Sequence, residues 1–207
     1  MISRVVLATH NAKKLAELSR VLAGQGLSIA VDGLDSLGAF PEPAETEDSF
    51  EGNALIKARA ACLATGLPAL ADDSGLEVDA LHGMPGVLSS RWSGAEASDA
   101  KNLRLVLEQI ADLPDDRRTA RFVCAMALVL PDGDIHTLRR SVEGRLVSEP
   151  RGTNGFGYDP AFVPDGFDVT TAEMSAEEKD AISHRGQAVR AMAEVLANLA
   201  GGTASAG

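Results

Sequence analysis

Cysteine and aromatic residues are scarce in this chain. Only two cysteines occur among its 207 residues, and both, Cys62 and Cys124, lie among apolar neighbours. This excludes a disulfide framework and the paired-cysteine spacing of a zinc site, and it predicts two buried thiols. Aromatic residues make up 4% of the chain, so a local cluster of them is informative.

The chain also lacks a long apolar run and an excess of positive charge. Its strongly apolar run at 122–131 is far shorter than the roughly 20 residues of a membrane span. The first residues contain too short an apolar stretch for a signal peptide. Nineteen basic and 30 acidic residues give a net charge of −11, which opposes binding to a nucleic-acid backbone. We therefore expect a soluble, cytoplasmic protein that binds neither nucleic acid nor membranes, although a few clustered cations would suffice for a small phosphorylated ligand.

Strand and helix patterns alternate, which predicts an α/β fold with a mixed central sheet flanked by helices. A turn at 131–134 joins the fourth and fifth predicted strands into a hairpin, so antiparallel pairing joins the αβ alternation. We expect one domain over 1–200, with two lobes, and a flexible tail over 201–207. The predicted strands cover 5–8, 28–31, 69–71, 119–130 and 135–147. A first helix is predicted to begin at about 12, a second covers 49–65 with Asp48 or Ser49 as its cap, and a third covers 98–113. A last helical region follows a capping box at 175–178.

Two helix starts carry cations where the helix dipole favours anions. Lys13 and Lys14 follow Thr9-His10-Asn11-Ala12 at the first start, and His184 and Arg185 follow Ser183 at the last. Each such cation costs roughly 0.3–1 kcal/mol. A bound anion would reverse the sign, because backbone N–H groups and the cations would then point at one target. The alternative is that Asn11 is only an N-cap and the lysines are solvated, but the recurrence favours a shared anionic ligand.

Two acidic residues close the short strand at 69–71, in the sequence Asp72-Asp73-Ser74-Gly75. Because side chains alternate along a strand, the two carboxylates are expected to face opposite ways. One of them can then face a cleft, where it would bind Mg²⁺ or take a proton from water. The competing interpretation is an ordinary turn, since Ser-Gly is a common turn signal.

A glycine-rich segment occupies 152–160. It lacks the Lys-Ser/Thr ending of a P-loop, and it leads to Pro160 and a predicted strand rather than a helix, which excludes a dinucleotide fingerprint. It contains Phe156 and the sole tyrosine, Tyr158. These rings either form a stacking surface for a planar ligand or belong to the core.

Taken in order, these segments resemble the inosine triphosphate pyrophosphatase family over nearly the whole chain. The matching motifs are Thr9-x-Asn11-x-x-Lys14, Glu45 through Phe50 to Asn53-Ala54, Lys57-Ala58-Arg59, Asp72-Asp73-Ser74-Gly75, Pro85-Gly86-Val87, Ser90-Arg91, Gly155-Phe156-Gly157-Tyr158-Asp159-Pro160, Glu178-Lys179 and Ser183-His184-Arg185-Gly186. The resemblance implies Mg²⁺-dependent hydrolysis of non-standard purine nucleoside triphosphates (dITP, ITP and XTP) to the monophosphate and pyrophosphate. It also implies a homodimer whose subunits have a cleft between two lobes.

The same resemblance implies roles for individual residues. Asp73 corresponds to the general base and, with Glu45, to the Mg²⁺ ligands, and Ser74 lies at the ligand. The phosphate-binding residues would be Thr9, His10, Asn11, Ala12, Lys13, Lys14 and Lys57. The residues around the base would be Phe156, Gly157, Tyr158, Asp159, Lys179, His184 and Arg185. Two positions depart from the family pattern, since His10 stands where a small residue is common and Trp92 where tyrosine is common.

Two other functions compete with this interpretation. A Maf-like pyrophosphatase would have a related two-lobed fold and act on modified pyrimidine nucleotides. A non-catalytic sensor would bind a purine nucleotide without hydrolysing it. The segments at 156–159 and 183–186 disfavour the first, and the acidic and lysine residues disfavour the second.

Overall fold

A mixed sheet of six strands forms within residues 2–37 and 43–201, which the computed structural model describes. The strands are β1 (Arg4–Leu7), β2 (Ala30–Gly33), β3 (Ala69–Val78), β4 (Thr119–Val129), β5 (Ile135–Leu146) and β6 (Phe162–Pro164), in the order β2-β1-β3-β4-β5-β6. β1 pairs parallel with β2 and β3, and β5 pairs antiparallel with β6. The predicted mixed sheet is therefore confirmed.

Capping residues mark the starts of three helices and the end of one. Within the described residues the helices are α1 (Ala12–Gly24), α2 (Phe50–Thr65), α3 (Asp99–Gln109), α4 (Ala176–Ile182) and α5 (His184–Gly201). The side chains of Ser49, Ser98 and Ser175 each accept a backbone N–H at a helix start, which satisfies a donor that the helix itself leaves open. Gly66 ends α2 in the left-handed conformation, with φ at 67°.

Several predicted boundaries were wrong. β2 begins at Ala30 rather than at 28, and α3 ends at Gln109 rather than at 113. β3 continues to Val78, so Asp72-Asp73-Ser74-Gly75 lies inside a strand and is not a turn. The reason is that Leu76 and Val78, both buried, alternate with exposed or half-buried residues and carry the strand onward. α5 includes Gly201, and the rest of the predicted tail, 202–207, lies outside the described residues.

The chain divides into two compact units. The first contains the chain up to Asp73, Ala125–Arg139, and the chain from Gln187. Its core places the alanines of α2 at positions 54, 58 and 61 against Val6 and the start of β3. Small side chains at these positions allow the helix to lie close to the sheet. This unit therefore holds the ends of β1 and α1, together with both aspartates, on a tightly packed support.

The second unit contains Ser74–Cys124 and Arg140–Gly186. Its core is formed by Leu76 and Val78 of β3, the apolar face of α3, and Phe162 of β6. Both cysteines of the chain are buried, as predicted. No helix in the described part of the chain is long and apolar enough to span a membrane.

Candidate active site

The junction between β1 and α1 presents backbone N–H groups and two lysines. Asn11 is the N-cap of α1, where its side chain accepts from the backbone N–H of Lys13 at 2.9 Å. The hydroxyl of Thr9 accepts from the backbone N–H of Asn11 at 3.1 Å. Ala12, Lys13 and Lys14 then form the first turn. The predicted cationic helix start is confirmed, and its cap fixes the loop in a form that suits an anion.

His10 lies in the same loop and contacts the turn that follows β2. Its Nδ1 is 2.5 Å from Oδ1 of Asp35, in the 3₁₀ turn Leu34–Leu37. Both side chains are largely exposed. The contact directs the imidazole of His10 toward Asp35.

Each of the two neighbouring aspartates pairs with a lysine from a different helix. Lys14 of α1 donates from Nζ to Oδ2 of Asp72 at 2.6 Å. Lys57 of α2 donates to Oδ1 of Asp73 at 3.5 Å and to Oε1 of Glu45 at 2.9 Å. Adjacent residues of a strand point to opposite faces, which is why the two carboxylates meet different helices. The sequence prediction of opposite directions agrees with this pairing.

Burial controls the electrostatics around Lys57. Burial raises the pKa of the Asp73 carboxyl, and the negative charge of Glu45 raises it further, while Lys57 and Asn53 oppose the shift. Burial alone lowers the pKa of the Lys57 ammonium, but the carboxylates of Asp73, Glu45 and Asp72 outweigh it and the resulting pKa is raised. Lys57 therefore keeps its charge, and Asp73 becomes a stronger proton acceptor.

The carboxylates around Lys57 are a donor set for a hard divalent cation. Asp73 and Glu45 both lie within 3.5 Å of the same ammonium nitrogen. Mg²⁺ binds through one or two carboxylates and completes its shell with water and substrate phosphates, so these residues fit magnesium. Within the described ranges there is no group of three or more His, Cys, Asp or Glu residues arranged for a metal.

In the second unit, the two rings of the glycine-rich segment have different environments. Phe156 is 78% exposed, and the ammonium of Lys179 in α4 lies 5.2 Å from its ring centroid. Tyr158 is only 5% exposed and donates its hydroxyl to the carbonyl oxygen of Ser89 at 2.7 Å. Phe156 therefore presents a free ring face, whereas Tyr158 is a core residue. The core alternative from the sequence is therefore confirmed for Tyr158, and stacking of a ligand on Phe156 stays a prediction.

The carboxylate of Asp159 fixes the segment that carries Phe156. Its Oδ2 accepts from the backbone N–H of Phe156 at 2.8 Å and pairs with the ammonium of Lys179. Its Oδ1 accepts from the hydroxyl of Thr171 at 2.8 Å. Gly155 adopts a φ of +77°, and a Cβ there would lie 2.1 Å from Asp159 Oδ2. Asp159 thus supports the backbone of Phe156 and the side chain of Lys179, and sequence patterns did not indicate Thr171.

The start of α5 carries the other predicted base-side residues. Ser183 accepts the backbone N–H of Gly186 at 2.9 Å, which confirms its predicted capping role. The ring of His184 stacks on Phe122, with centroids 5.1 Å apart and an interplanar angle of 15°. Both Nη atoms of Arg185 are buried. Phe122 was not predicted from sequence, because its strand pattern does not distinguish a core ring from one that supports a histidine.

The remaining predicted positions have the following placements. Gly157 donates its backbone N–H to Oδ2 of Asp99 at 2.8 Å, and Ser74 is exposed on β3. The phosphate-side residues belong to the first unit, and the base-side residues, with Ser74, belong to the second. That all of them surround one substrate molecule stays a prediction.

A cationic helix start beside paired aspartates, and an exposed ring beside a lysine, are elements of a nucleotide-hydrolysing enzyme. Residues 5–195 match the model of the Ham1 family, and the chain belongs to that family. It is 60% identical over 203 residues to a dITP/XTP pyrophosphatase of Cutibacterium acnes, a match that covers 97% of this chain and 100% of that protein. The family resemblance that the motifs indicated is confirmed.

Two solved structures have the same fold over nearly the whole chain. A nucleoside-triphosphatase / dITP/XTP pyrophosphatase from Mycobacterium abscessus is 51% identical with a TM-score of 0.80, covering 91% of this chain and 98% of that one. A HAM1 protein from Coxiella burnetii is 43% identical with a TM-score of 0.88, covering 96% and 100%. The predicted α/β fold class is confirmed by these similarities.

Proposed function

We propose that this protein hydrolyses the non-standard purine nucleoside triphosphates dITP, ITP and XTP to the monophosphate and pyrophosphate. The observation that carries the proposal is the contact of the Lys57 ammonium with both the partly buried Asp73 carboxyl and the Glu45 carboxyl in a Ham1-family chain. Similarity to relatives that bear the name dITP/XTP pyrophosphatase supports the substrate class.

The phosphate end of the substrate binds at the start of α1. Backbone N–H groups at a helix start bind phosphate oxygens, and Lys13 and Lys14 provide positive charge. Lys14 already pairs with Asp72 at 2.6 Å, so its ammonium is held in place before a phosphate arrives. An ordered cation costs less side-chain entropy on binding than a mobile one.

Asp73 accepts the proton of the attacking water. Its raised pKa makes the carboxylate a better acceptor. The water oxygen forms a bond to the α-phosphorus, and the bond from that phosphorus to the bridging oxygen of the β-phosphate breaks. Pyrophosphate then leaves as one piece, and the nucleoside monophosphate remains. Lys57 keeps the Asp73 carboxylate in place through their contact at 3.5 Å.

Asp73 and Glu45 would hold Mg²⁺ together with the substrate phosphates. When bound, the cation supplies neutralisation of the charge that develops on the phosphoryl oxygens. Lys57, which contacts both carboxylates, compensates their negative charge in the absence of the cation.

The base end of the substrate stacks on Phe156. Stacking of a base on an aromatic side chain contributes roughly 1–3 kcal/mol. Lys179 and Arg185 supply donors for the 6-oxo group of inosine or xanthosine. Adenine has a 6-amino donor at that position, so two donors would face each other and the mismatch would leave both without an acceptor. Rejection of guanine, which shares the 6-oxo group, we attribute to crowding or the lack of an acceptor at its 2-amino group.

The family resemblance also supports two further parts of the proposal, a homodimer and a cytoplasmic location, where the nucleotide substrates are found. Size-exclusion chromatography with light scattering tests the first. Fractionation of cells tests the second.

A substrate panel tests the proposed reaction. Purine and pyrimidine triphosphates, including dITP, XTP, dGTP and dATP, are incubated with and without Mg²⁺, and pyrophosphate is measured separately from orthophosphate. We expect Mg²⁺-dependent release of pyrophosphate from dITP and XTP. Release of orthophosphate would contradict attack at the α-phosphorus, and a preference for modified pyrimidines would favour the Maf-like alternative. Binding of dITP without any product would favour a nucleotide sensor.

A further inference from the structure

We propose that Thr171 is a positioning residue for the nucleobase, acting through the carboxylate of Asp159. This inference rests on the proposed function, because it assigns Phe156 and Lys179 to the base. Thr171 lies in the segment between β6 and α4, outside every motif that the sequence indicated.

The first step of the argument is the set of donors on Asp159. Its carboxylate accepts from the Thr171 hydroxyl on Oδ1, and from the Phe156 backbone N–H and the Lys179 ammonium on Oδ2. Asp159 is 3% exposed and Thr171 is 4% exposed. Water therefore has little access to replace a protein donor that is lost.

The second step is the orientation of that carboxylate. The terminal torsion of an aspartate has a broad energy profile, so packing and hydrogen bonds must select its angle. The Thr171 hydroxyl lies 2.8 Å from Oδ1, whereas it lies 3.2 Å from the carbonyl oxygen of the same aspartate. The backbone N–H of Thr171 donates to the Phe162 carbonyl at 2.9 Å, which fixes the threonine itself. The hydroxyl therefore selects the angle that directs Oδ2 toward Phe156 and Lys179.

The third step is the effect on the proposed base-binding surface. The Lys179 ammonium lies 5.2 Å from the centroid of the exposed Phe156 ring. Asp159 Oδ2 holds both the ammonium and the backbone of that ring. If the carboxylate rotates, the ring and the cation lose their common anchor. Binding of the base weakens, while the phosphate-side residues, which belong to the other unit, keep their contacts.

The neighbouring Thr170 provides a matched control. It is also fully buried, but its hydroxyl donates to the carbonyl oxygen of Arg151 at 2.9 Å rather than to Asp159. Thr170→Val and Thr171→Val each remove one buried hydroxyl and keep the side-chain shape. A purely structural role predicts similar losses for both variants, whereas a positioning role predicts different effects on base binding.

The experiment compares Thr171→Val, Thr171→Ser and Thr170→Val with the wild type. Calorimetry gives the Kd for dIMP, which carries the base, and for pyrophosphate, which does not, while kinetics with dITP give KM and kcat. Thr171→Val is expected to raise the Kd for dIMP and the KM for dITP by about tenfold, the factor typical of one lost hydrogen bond to a charged group. Pyrophosphate affinity and kcat stay near the wild-type values. Thr171→Ser restores most of the dIMP affinity, and Thr170→Val lowers the Tm without changing Kd or KM.

Three results overturn the proposal. The first is a Thr171→Val protein with wild-type affinity for dIMP, and the second is a Thr170→Val protein that loses the same affinity. If the valine variant does not fold, Thr171→Ala is compared with Thr171→Ser instead. Equal affinities of these two variants for dIMP are the third result that overturns the proposal. A wild-type protein that neither binds dIMP nor hydrolyses dITP overturns the proposed function, and the inference falls with it.

Discussion

The ammonium of Lys14 lies 2.6 Å from the carboxylate of Asp72, which follows it by 58 residues in the chain. The Asp72 side chain is only 3% exposed, so the Lys14 ammonium compensates a charge to which water has little access. The same lysine is proposed to bind phosphate. We therefore expect one residue to contribute both to the stability of the first unit and to substrate binding.

Replacing Lys14 by methionine tests this double contribution. Lys14→Met leaves the buried Asp72 carboxylate without its ammonium, and we expect the free energy of unfolding to fall by about 1–3 kcal/mol. Adding Asp72→Asn should recover much of that loss, because the charge is then removed as well. Denaturant unfolding measures both variants. Lys13→Met is the control, since Lys13 is exposed in the same turn and a surface substitution changes stability by less than about 0.5 kcal/mol.

Replacing Asp73 by asparagine tests the proposed general base. Asp73→Asn removes the proton acceptor and one proposed ligand of Mg²⁺ while it keeps the size of the side chain. We expect release of pyrophosphate from dITP to fall by at least about 100-fold, in the range known for general bases, with little change in nucleotide affinity. Steady-state kinetics and equilibrium binding provide the two measurements. Turnover at the wild-type rate would remove Asp73 from the mechanism.

Substitutions of Phe156 and Tyr158 are expected to have opposite effects on substrate binding and on stability. Phe156→Ala removes an exposed ring, so we expect KM for dITP to rise by a factor corresponding to about 1–3 kcal/mol of lost stacking and Tm to stay unchanged. Tyr158→Phe removes the buried hydrogen bond to Ser89, so we expect a loss of about 1 kcal/mol in stability and an unchanged KM. Kinetics and thermal unfolding of both variants check the pair. The reverse pattern would place the stacking ring at 158.

Arg185→Ala tests which feature of the base is read. If Arg185 donates to the 6-oxo group, kcat/KM for dITP and dGTP should fall by the same factor, about tenfold or more for a lost charged hydrogen bond. The preference for dITP over dATP should narrow, because adenine never made that bond. The control is Arg190→Ala, which removes an exposed cation from the same helix. A loss confined to dITP would show that Arg185 discriminates against guanine instead.

Local chemistry predicted the capped helix ends better than the length of β3. Ser49 is the cap of α2, one of the two caps that the sequence left open. The end of α2 at Thr65 and the capping box of Ser175 and Glu178 were placed correctly, because each depends on a few neighbouring residues. The length of β3 was not, because the polar run from Asp72 is typical of a turn. Its aspartates are held in a strand by lysines from α1 and α2, which lie far away in sequence.

The site shows the same limit. Motifs predicted the cationic start of α1, the aspartates and the segment at 155–159, but not which ring of that segment is buried. The burial of Tyr158 depends on Ser89, and the orientation of Asp159 depends on Thr171. These contacts join residues that lie far apart in the chain, so no local sequence pattern predicts them.

Acid should weaken the start of α4. Hydrogen bonds from the backbone N–H and side chain of Ser175 lower the pKa of Glu178 from its ordinary value of 4.5. Its contribution to the free energy of unfolding is therefore complete above that value and is lost as pH falls through the lower folded-state pKa. Glu178→Gln keeps an acceptor that does not titrate. We expect the variant to gain stability relative to the wild type below about pH 4.5, in denaturant titrations over pH 3–7; a pH-independent difference would contradict the capping role.

The close approach of Gly155 to Asp159 limits how this enzyme can be redesigned. Every other amino acid of the standard set carries a Cβ, and at this backbone position a Cβ would overlap Asp159 Oδ2 and crowd Lys179 Nζ. Libraries that seek a changed base preference should leave Gly155 unchanged. A substitution at Gly155 would displace Asp159, which anchors the aromatic surface, before any new specificity could form.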